Sequence, residues 1–315
     1  MILDNIKWVH RLSCVIILVS LICCLGITAS ATSTDTYRLT ISYIVEDAPV
    51  VDAQLCLYRV GTIDQNEKLT FLDKYEDYPV SLDLTTSTDW QLAADTLYGY
   101  ILLDELTADQ VFTTGEDGAD SVDGLQEGLY LLCGPKKQTA EMIYFPQSAL
   151  FVLDDKAAGE TGHAIVMVKA AAQPPSTAKV NLQALKKWDD DGMFKRPDEI
   201  AVSLLKDGIV ADVVKLSEKN DWKSEWKDLD PNTHWTVVED AVDGFHVTVQ
   251  RTGSKFLITN KIDPNDPPDP KPTEKPTEPG KPLIPQAGLT WWPLPVLACV
   301  GLALIGMGIA LRRRD

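Results

Sequence analysis

From Tyr37 to Ile44 apolar and polar positions alternate, and the same period-two pattern returns at Ala53 to Val60, where Ala53, Leu55 and Leu57 share one face. Alternation of this kind predicts half-buried β-strands. Between Thr88 and Leu106 the period changes. Trp90, Leu92, Ala93, Leu97, Tyr98, Ile101 and Leu102 recur at helical spacing, with Ser87 or Thr88 placed to cap the start. Strand patterns resume at Gly128–Cys133, Ala149–Leu153 and Ala164–Val168. A stretch from Ala171 to Ala178 containing Gln173-Pro174-Pro175 predicts a break in regular structure. After it, short strand patterns follow closely: Val180, Leu182 and Ala184 alternate, as do Ile200, Val202 and Leu204. Asp207-Gly208 and Asp243-Gly244 supply turns. The expectation is an all-β fold of two tandem Ig-like β-sandwich domains, 36–170 with one inserted helix and 179–262 with none.

Both ends depart from this pattern. Lys7 and Arg11 precede an apolar run from Val15 to Ile27, and Ala29-Ser30-Ala31 follows with small residues, which predicts a signal peptide over residues 1–31 and export. At the other end, prolines crowd the segment 263–283, which cannot bury a core and reads as an extended spacer approaching ~60 Å. An apolar run from Leu289 to Leu311 is long enough to cross a bilayer, and Arg312-Arg313-Arg314 predicts a cytoplasmic tail.

Composition narrows the function classes. The formal net charge of −17 would repel a polyanion, so nucleic acid is not an expected partner. Of six cysteines, Cys14, Cys23 and Cys24 lie in the predicted signal and Cys299 in the predicted anchor, which leaves Cys56 and Cys133. They could form one disulfide outside the cell, or stand as two partly buried thiols. His163, His234 and His246 have no partner at metal spacing, and Asp189-Asp190-Asp191-Gly192 lacks the alternation and distal Glu of a calcium loop, so it reads as a solvated turn. No metal or cofactor is implied. No phosphate loop or nucleophile elbow is present, and the sequence contains no positive sign of a turnover enzyme.

The C-terminal arrangement resembles the sorting signal of Gram-positive surface proteins, which sortase cleaves and joins to peptidoglycan. The motif positions are Ile284, Pro285, Gln286, Ala287 and Gly288, with Ala287 standing where that family has Thr. The resemblance places cleavage between Ala287 and Gly288, and implies sortase and covalently bound peptidoglycan as partners. The first domain resembles the N-terminal domain of pilin-type surface proteins at Ala53–Val60 and at Gly124-Leu125-Gln126-Glu127-Gly128-Leu129-Tyr130-Leu131. That implies other pilin subunits, or host matrix or glycan ligands, as further partners. Lys169 is the candidate pilin lysine, although Val168 stands where that motif has Pro.

The second domain resembles the B-type repeat of collagen adhesins along its whole length. Lys186-x-Trp188-Asp189, Arg196-Pro197, Ile200-x-Val202-x-Leu204, Trp222, Trp226, Trp235-x-Val237-x-Glu239, Gly244-Phe245 and Phe256-Leu257-Ile258-Thr259-Asn260 occur in order. The resemblance implies an autocatalytic isopeptide bond between Lys186 and Asn260, promoted by Glu239. Strand parity agrees: Lys186 shares a face with Leu182, Ala184 and Trp188, and Glu239 with Trp235 and Val237. Burial would favour a neutral amine and a protonated acid. Residue types alone favour a plainer arrangement, with Lys186 snorkelling to solvent, Glu239 in a surface pair and Asn260 at a turn. The ordered resemblance favours the bond. Lys187 is the alternative nucleophile, with the opposite parity. The functional expectation is a wall-anchored pilus subunit, basal or minor, or a short adhesin. A matrix- or glycan-binding first domain outside a pilus is the alternative.

Overall fold

A computed structural model describes residues 36–271. The predicted signal segment, the sortase motif Ile284–Gly288 and the apolar run with its arginine tail lie outside the described residues, as does most of the proline-rich segment. No helix among the described residues is long and apolar enough to cross a membrane.

The described chain is mostly β. Its first half contains β1 (Thr36–Ser42), β2 (Ile44–Val45), β3 (Ala48–Pro49), β4 (Gln54–Ile63), β5 (Leu69–Phe71) and helix α1 (Ser87–Leu103). It continues with β6 (Gln110–Thr113), β7 (Ala119–Gln126), β8 (Gly128–Cys133), β9 (Lys137–Gln138), β10 (Ile143–Pro146) and β11 (Ala149–Leu153). A short helix α2 (Asp155–Ala158), β12 (His163–Met167) and β13 (Ala170–Gln173) complete it. The second half contains β14 (Val180–Asp189), β15 (Glu199–Lys206), β16 (Ile209–Ser217), β17 (Lys223–Leu229), β18 (Trp235–Glu239), β19 (Phe245–Thr252) and β20 (Lys255–Ile262).

In the first half, one sheet has the order β12-β1-β7. A second runs β11-β8-β4-β5 with β6 also on β4, and a small sheet joins β13, β10 and β9. The second half is built from two sheets, β17-β14-β20-β19 and β16-β15-β18. Each half pairs its opening strand in parallel with a late one, β1 with β12 and β14 with β20.

The structure departs from the sequence reading at several elements. Thr86, not Ser87 or Thr88, caps α1. Its side chain accepts the Asp89 N–H while the Asp89 carboxylate accepts the Thr86 N–H, a reciprocal capping box. Within the expected break, Ala170–Gln173 forms β13 and pairs antiparallel with β10. An unpaired strand edge outweighed the weak intrinsic preference of an alanine run. Asp190 is not solvated. It is buried and ion-paired with Arg196, while Asp189 and Asp191 are exposed.

The helix expected in the first half is present as α1, and what the sequence did not show is its setting. Its C-terminal part is buried almost all round, from Thr96 to Ile101. A helix with no polar face must be covered on more than one side, and α1 is. On one side it meets the sheet containing β8 and β11, whose Leu129, Leu131, Cys133 and Leu150 join the same hydrophobic core as Leu97 and Ile101. On the other side it lies along β18 and β19, edge strands of the two second-half sheets. The core therefore continues through α1 into Leu182, Val202, Val237, Phe256 and Ile258. This explains why β8 is buried at all six positions instead of alternating: its other face packs on Leu39, Ile41 and Leu55 in a separate core.

Hydrogen bonds complete the joint. The Val247 N–H of β19 donates to the Pro79 carbonyl at 2.6 Å and the Val249 N–H donates to Thr96 Oγ1 at 2.9 Å. The Tyr100 hydroxyl donates to the Glu239 carbonyl at 2.7 Å. Gly99 lies against β18 so closely that a Cβ there would stand 3.0 Å from Val238 Cγ2. Edge strands that would otherwise present bare N–H and C=O groups are covered by the first half.

Candidate functional site: a buried Lys–Glu–Asn cluster

The burial of β14 alternates from Leu182 to Lys186, with Leu182, Ala184 and Lys186 inward. Lys186 is carried into the core by the strand's own period, and Lys187 is left exposed. β20 alternates in the same way, with Phe256, Ile258 and Asn260 inward. In the parallel register Lys186 stands opposite Ile258, and Trp188 opposite Asn260. The amine and the carboxamide thus come from neighbouring strands of one sheet, two positions out of step. Glu239 comes from the facing sheet, where it ends β18 opposite Val202.

The three side chains meet in the interior. Lys186 Nζ lies 3.1 Å from Glu239 Oε2, and the two side chains are 0% and 1% exposed. Asn260 Nδ2 donates to Glu239 Oε1 at 2.6 Å. Nζ also lies 4.3 Å from the centre of the Trp188 ring, a favourable place for a cation. Trp188 is boxed edge-on by Trp222 and Phe245 at 5.4 and 5.2 Å. The Arg196 guanidinium lies 5.5 Å from the same ring and is held there by Asp190.

The polar satisfaction of this cluster is incomplete. Nζ is close to Oε2 but off the line of a hydrogen bond, so Oε2 has an ionic neighbour and no hydrogen-bond donor. Asn260 Oδ1 has no partner at all. Turning the Asn260 carboxamide over, so that Oδ1 and Nδ2 exchange places, would set the carbonyl oxygen against Oε1. That contact requires a proton on Glu239.

Burial favours such a proton. Burial pushes the Lys186 ammonium down to about 8, with the Glu239 charge opposing the shift. Burial pushes Glu239 up from the ordinary carboxylate value, with Lys186 opposing. Both shifts favour the uncharged pair, a free amine beside a carboxylic acid, which is the state an acyl transfer needs.

The other candidates stay apart from this cluster. Lys169 lies between β12 and β13 and is exposed. Cys56 and Cys133 are free thiols directly opposite each other on β4 and β8. Burial raises the pKa of both, Cys133 well above the usual thiol value. Little thiolate forms, so thiol reagents should label neither cysteine in the folded chain at pH 8 and both after denaturation. Prompt labelling of the native chain would refute the burial of Cys133 and the partial cover of Cys56, and no labelling after denaturation would reveal a disulfide.

Sequence reasoning missed Tyr100, because nothing local in α1 signals that its hydroxyl will reach a strand 139 positions away. It also missed the Asp190–Arg196 pair that backs Trp188. Both residues were visible, but their spacing of six along an irregular connection carries no geometric signal.

Residues 182–261 match the family described as Cna protein B-type domain. The collagen adhesin of Staphylococcus aureus is 34% identical over 101 residues, which are 29% of this chain and 8% of the adhesin, so the chain spans a small part of that relative's length. Solved structures overlay loosely. A single B repeat unit of the collagen-binding surface protein of S. aureus shares 16% identity, covering 73% of this chain and 98% of that one with a TM-score of 0.25. The shaft pilin SpaA from Lactobacillus rhamnosus GG shares 14%, covering 72% and 99% with a TM-score of 0.28. At these scores the overlays add nothing to the domain match. A Cna protein B-type domain occupies residues 182–261 of this chain, and β14 to β20 are its strands.

Proposed function

We propose that this chain is a cell-wall-anchored surface protein, a basal or minor pilus subunit or a short adhesin, whose B-type domain ties its first and last strands with a self-formed isopeptide bond. In this reading, 36–170 and 179–262 are tandem Ig-like sandwiches on a proline-rich spacer. Sortase joins the chain to peptidoglycan through Ile284–Gly288. The family match and the adhesin relative support the surface role. Exposure of Lys169 keeps it available as a donor to a further subunit.

The observation that carries the bond is the enclosed contact of Lys186, Glu239 and Asn260. In the uncharged pair the Nζ lone pair attacks Asn260 Cγ. The protonated Glu239 polarises the carboxamide, takes up the proton that Nζ sheds and delivers a proton to the departing nitrogen. One N–C bond forms, the Cγ–Nδ2 bond breaks, one ammonia leaves and Glu239 ends as it began. The change happens once per molecule, so its value is structural: pulling on the ends of this domain would no longer peel β14 from β20.

The test is the intact mass of the purified chain. The expected value is one ammonia below that calculated from the sequence, with a cross-linked peptide joining the Lys186 and Asn260 segments after digestion. A full mass would refute the bond.

A further inference from the structure

The hydrogen bond between Tyr100 and the Glu239 carbonyl links the two halves at the residue on which the proposed chemistry turns. Glu239 is the last residue of β18, and β18 is an edge strand. One side of it pairs with β15 through Val202. The other side has no strand partner, and there the Tyr100 hydroxyl meets the Glu239 carbonyl at 2.7 Å. Tyr100 is itself fixed: its ring stacks on Tyr78 at 5.1 Å, and the Tyr78 hydroxyl donates to Asp104 at the end of α1. A strand terminus frays unless something holds it. Here the holder belongs to the first half of the chain.

We propose that Tyr100 is a positioning residue for isopeptide formation, so that docking of α1 on β18 sets the rate at which the B-type domain cross-links. The inference rests on the isopeptide reading above. The geometry makes it specific. A carboxyl group that must touch Nζ and the carboxamide at once tolerates little displacement of its own backbone. The same contact seals the strand end against water, which would otherwise solvate the carboxylate and the ammonium. Cross-linking would thus follow assembly of both halves.

The groups facing the reacting pair are few. Glu239 meets Lys186, Asp240 and Tyr100, and Lys186 meets Glu239 and Arg196, the latter neutralised by Asp190. Reaction needs a neutral amine and a protonated acid, so the rate should be flat between the Glu239 and Lys186 pKa values and fall on either side. Admitting water favours both charged forms. It moves the acid limb lower and the alkaline limb higher, and it slows the plateau.

The test follows ammonia loss by intact mass after the full-length chain, recovered unfolded in urea, is diluted into buffers across the pH range. Tyr100→Phe removes one hydroxyl and keeps the ring stack. It should slow the plateau roughly three- to tenfold and spread the two limbs apart. Thr96→Val, which removes the neighbouring α1 bond to Val249 without touching Glu239, should leave rate and limbs as in the unaltered chain. Equal rates for Tyr100→Phe and the unaltered chain would overturn the inference. So would slowing with unmoved limbs, or equal slowing by Thr96→Val, since either marks general loosening of the joint. If the unaltered chain loses no ammonia, the isopeptide reading itself fails, an outcome distinct from the others.

Discussion

Glu239→Ala should leave the chain at its full calculated mass and should be the most destabilising single change in the B-type domain. Two losses combine. Without the bond, the loop of about 75 residues between Lys186 and Asn260 is open in the unfolded chain, which by analogy with disulfide closure costs ~4.5 kcal/mol. The Lys186 ammonium is also left in the interior without its carboxylate, a loss of about 3–5 kcal/mol. Asn260→Ala separates the two, because it removes the bond and keeps the pair. Urea unfolding of both variants beside the unaltered chain would measure this. Equal stability of all three would dispose of the cross-link and of the buried charge pair as sources of stability.

The Asn260→Ala chain should also show a pH dependence with a determined sign. Folded Lys186 titrates near 8 and unfolded Lys near 10.5. Between these values the unfolded chain holds more protons, so stability rises with pH from about 8 to 10.5. For Glu239 the folded pKa lies above the ordinary 4.5, so stability is present below 4.5 and is lost as pH rises through the folded value. The variant should therefore be less stable at intermediate pH than below pH 4.5 or above pH 10.5. Bond formation removes the Lys186 titration and leaves that of Glu239, so the unaltered chain should be flatter between about pH 8 and 10.5.

The second large effect concerns the joint between the halves. Residues 178–262 made alone should be far less stable than the same residues in the whole chain, and prone to self-association. Separation strips β18 and β19 of α1, leaves the Val247 and Val249 N–H groups without Pro79 and Thr96, and exposes a core that continues through Leu97 and Ile101. In the whole chain, Leu97→Ala should lower both halves together by ~2–5 kcal/mol. Calorimetry is the check: one shared transition that moves as a unit is expected. Two independent transitions, with only the first displaced by Leu97→Ala, would show that the halves merely touch.

Much of this was legible because β-strands write their two faces into the sequence. Leu182, Ala184 and Lys186 predicted that an ammonium would be carried inward, and Trp235, Val237 and Glu239 predicted the same for a carboxyl group. Asn260 was named only by the resemblance to the B-type repeat, and its inward parity with Phe256 and Ile258 emerged with the structure. The alternation failed where a sheet is covered on both faces. Val238 is buried beside Val237, and β8 is buried throughout. A residue's own neighbours in sequence do not report what packs on the outer face of its sheet. For the same reason α1 was readable as a helix and not as a joint.

By itself the sequence determined the inward face of the alternating strands, the approximate course of the helix and of the most regular strands, and that one lysine and one acid lie on the core side of their strands. Those are local properties, dictated by period and side-chain chemistry. The tertiary structure alone decided that β14 lies parallel to β20 with Asn260 two positions from Lys186, that Glu239 approaches from the opposite sheet, and that Tyr100 holds it from the other half. Such contacts depend on strand order, register and the docking of distant segments, which are settled by how whole faces pack, and no stretch of neighbouring residues encodes them.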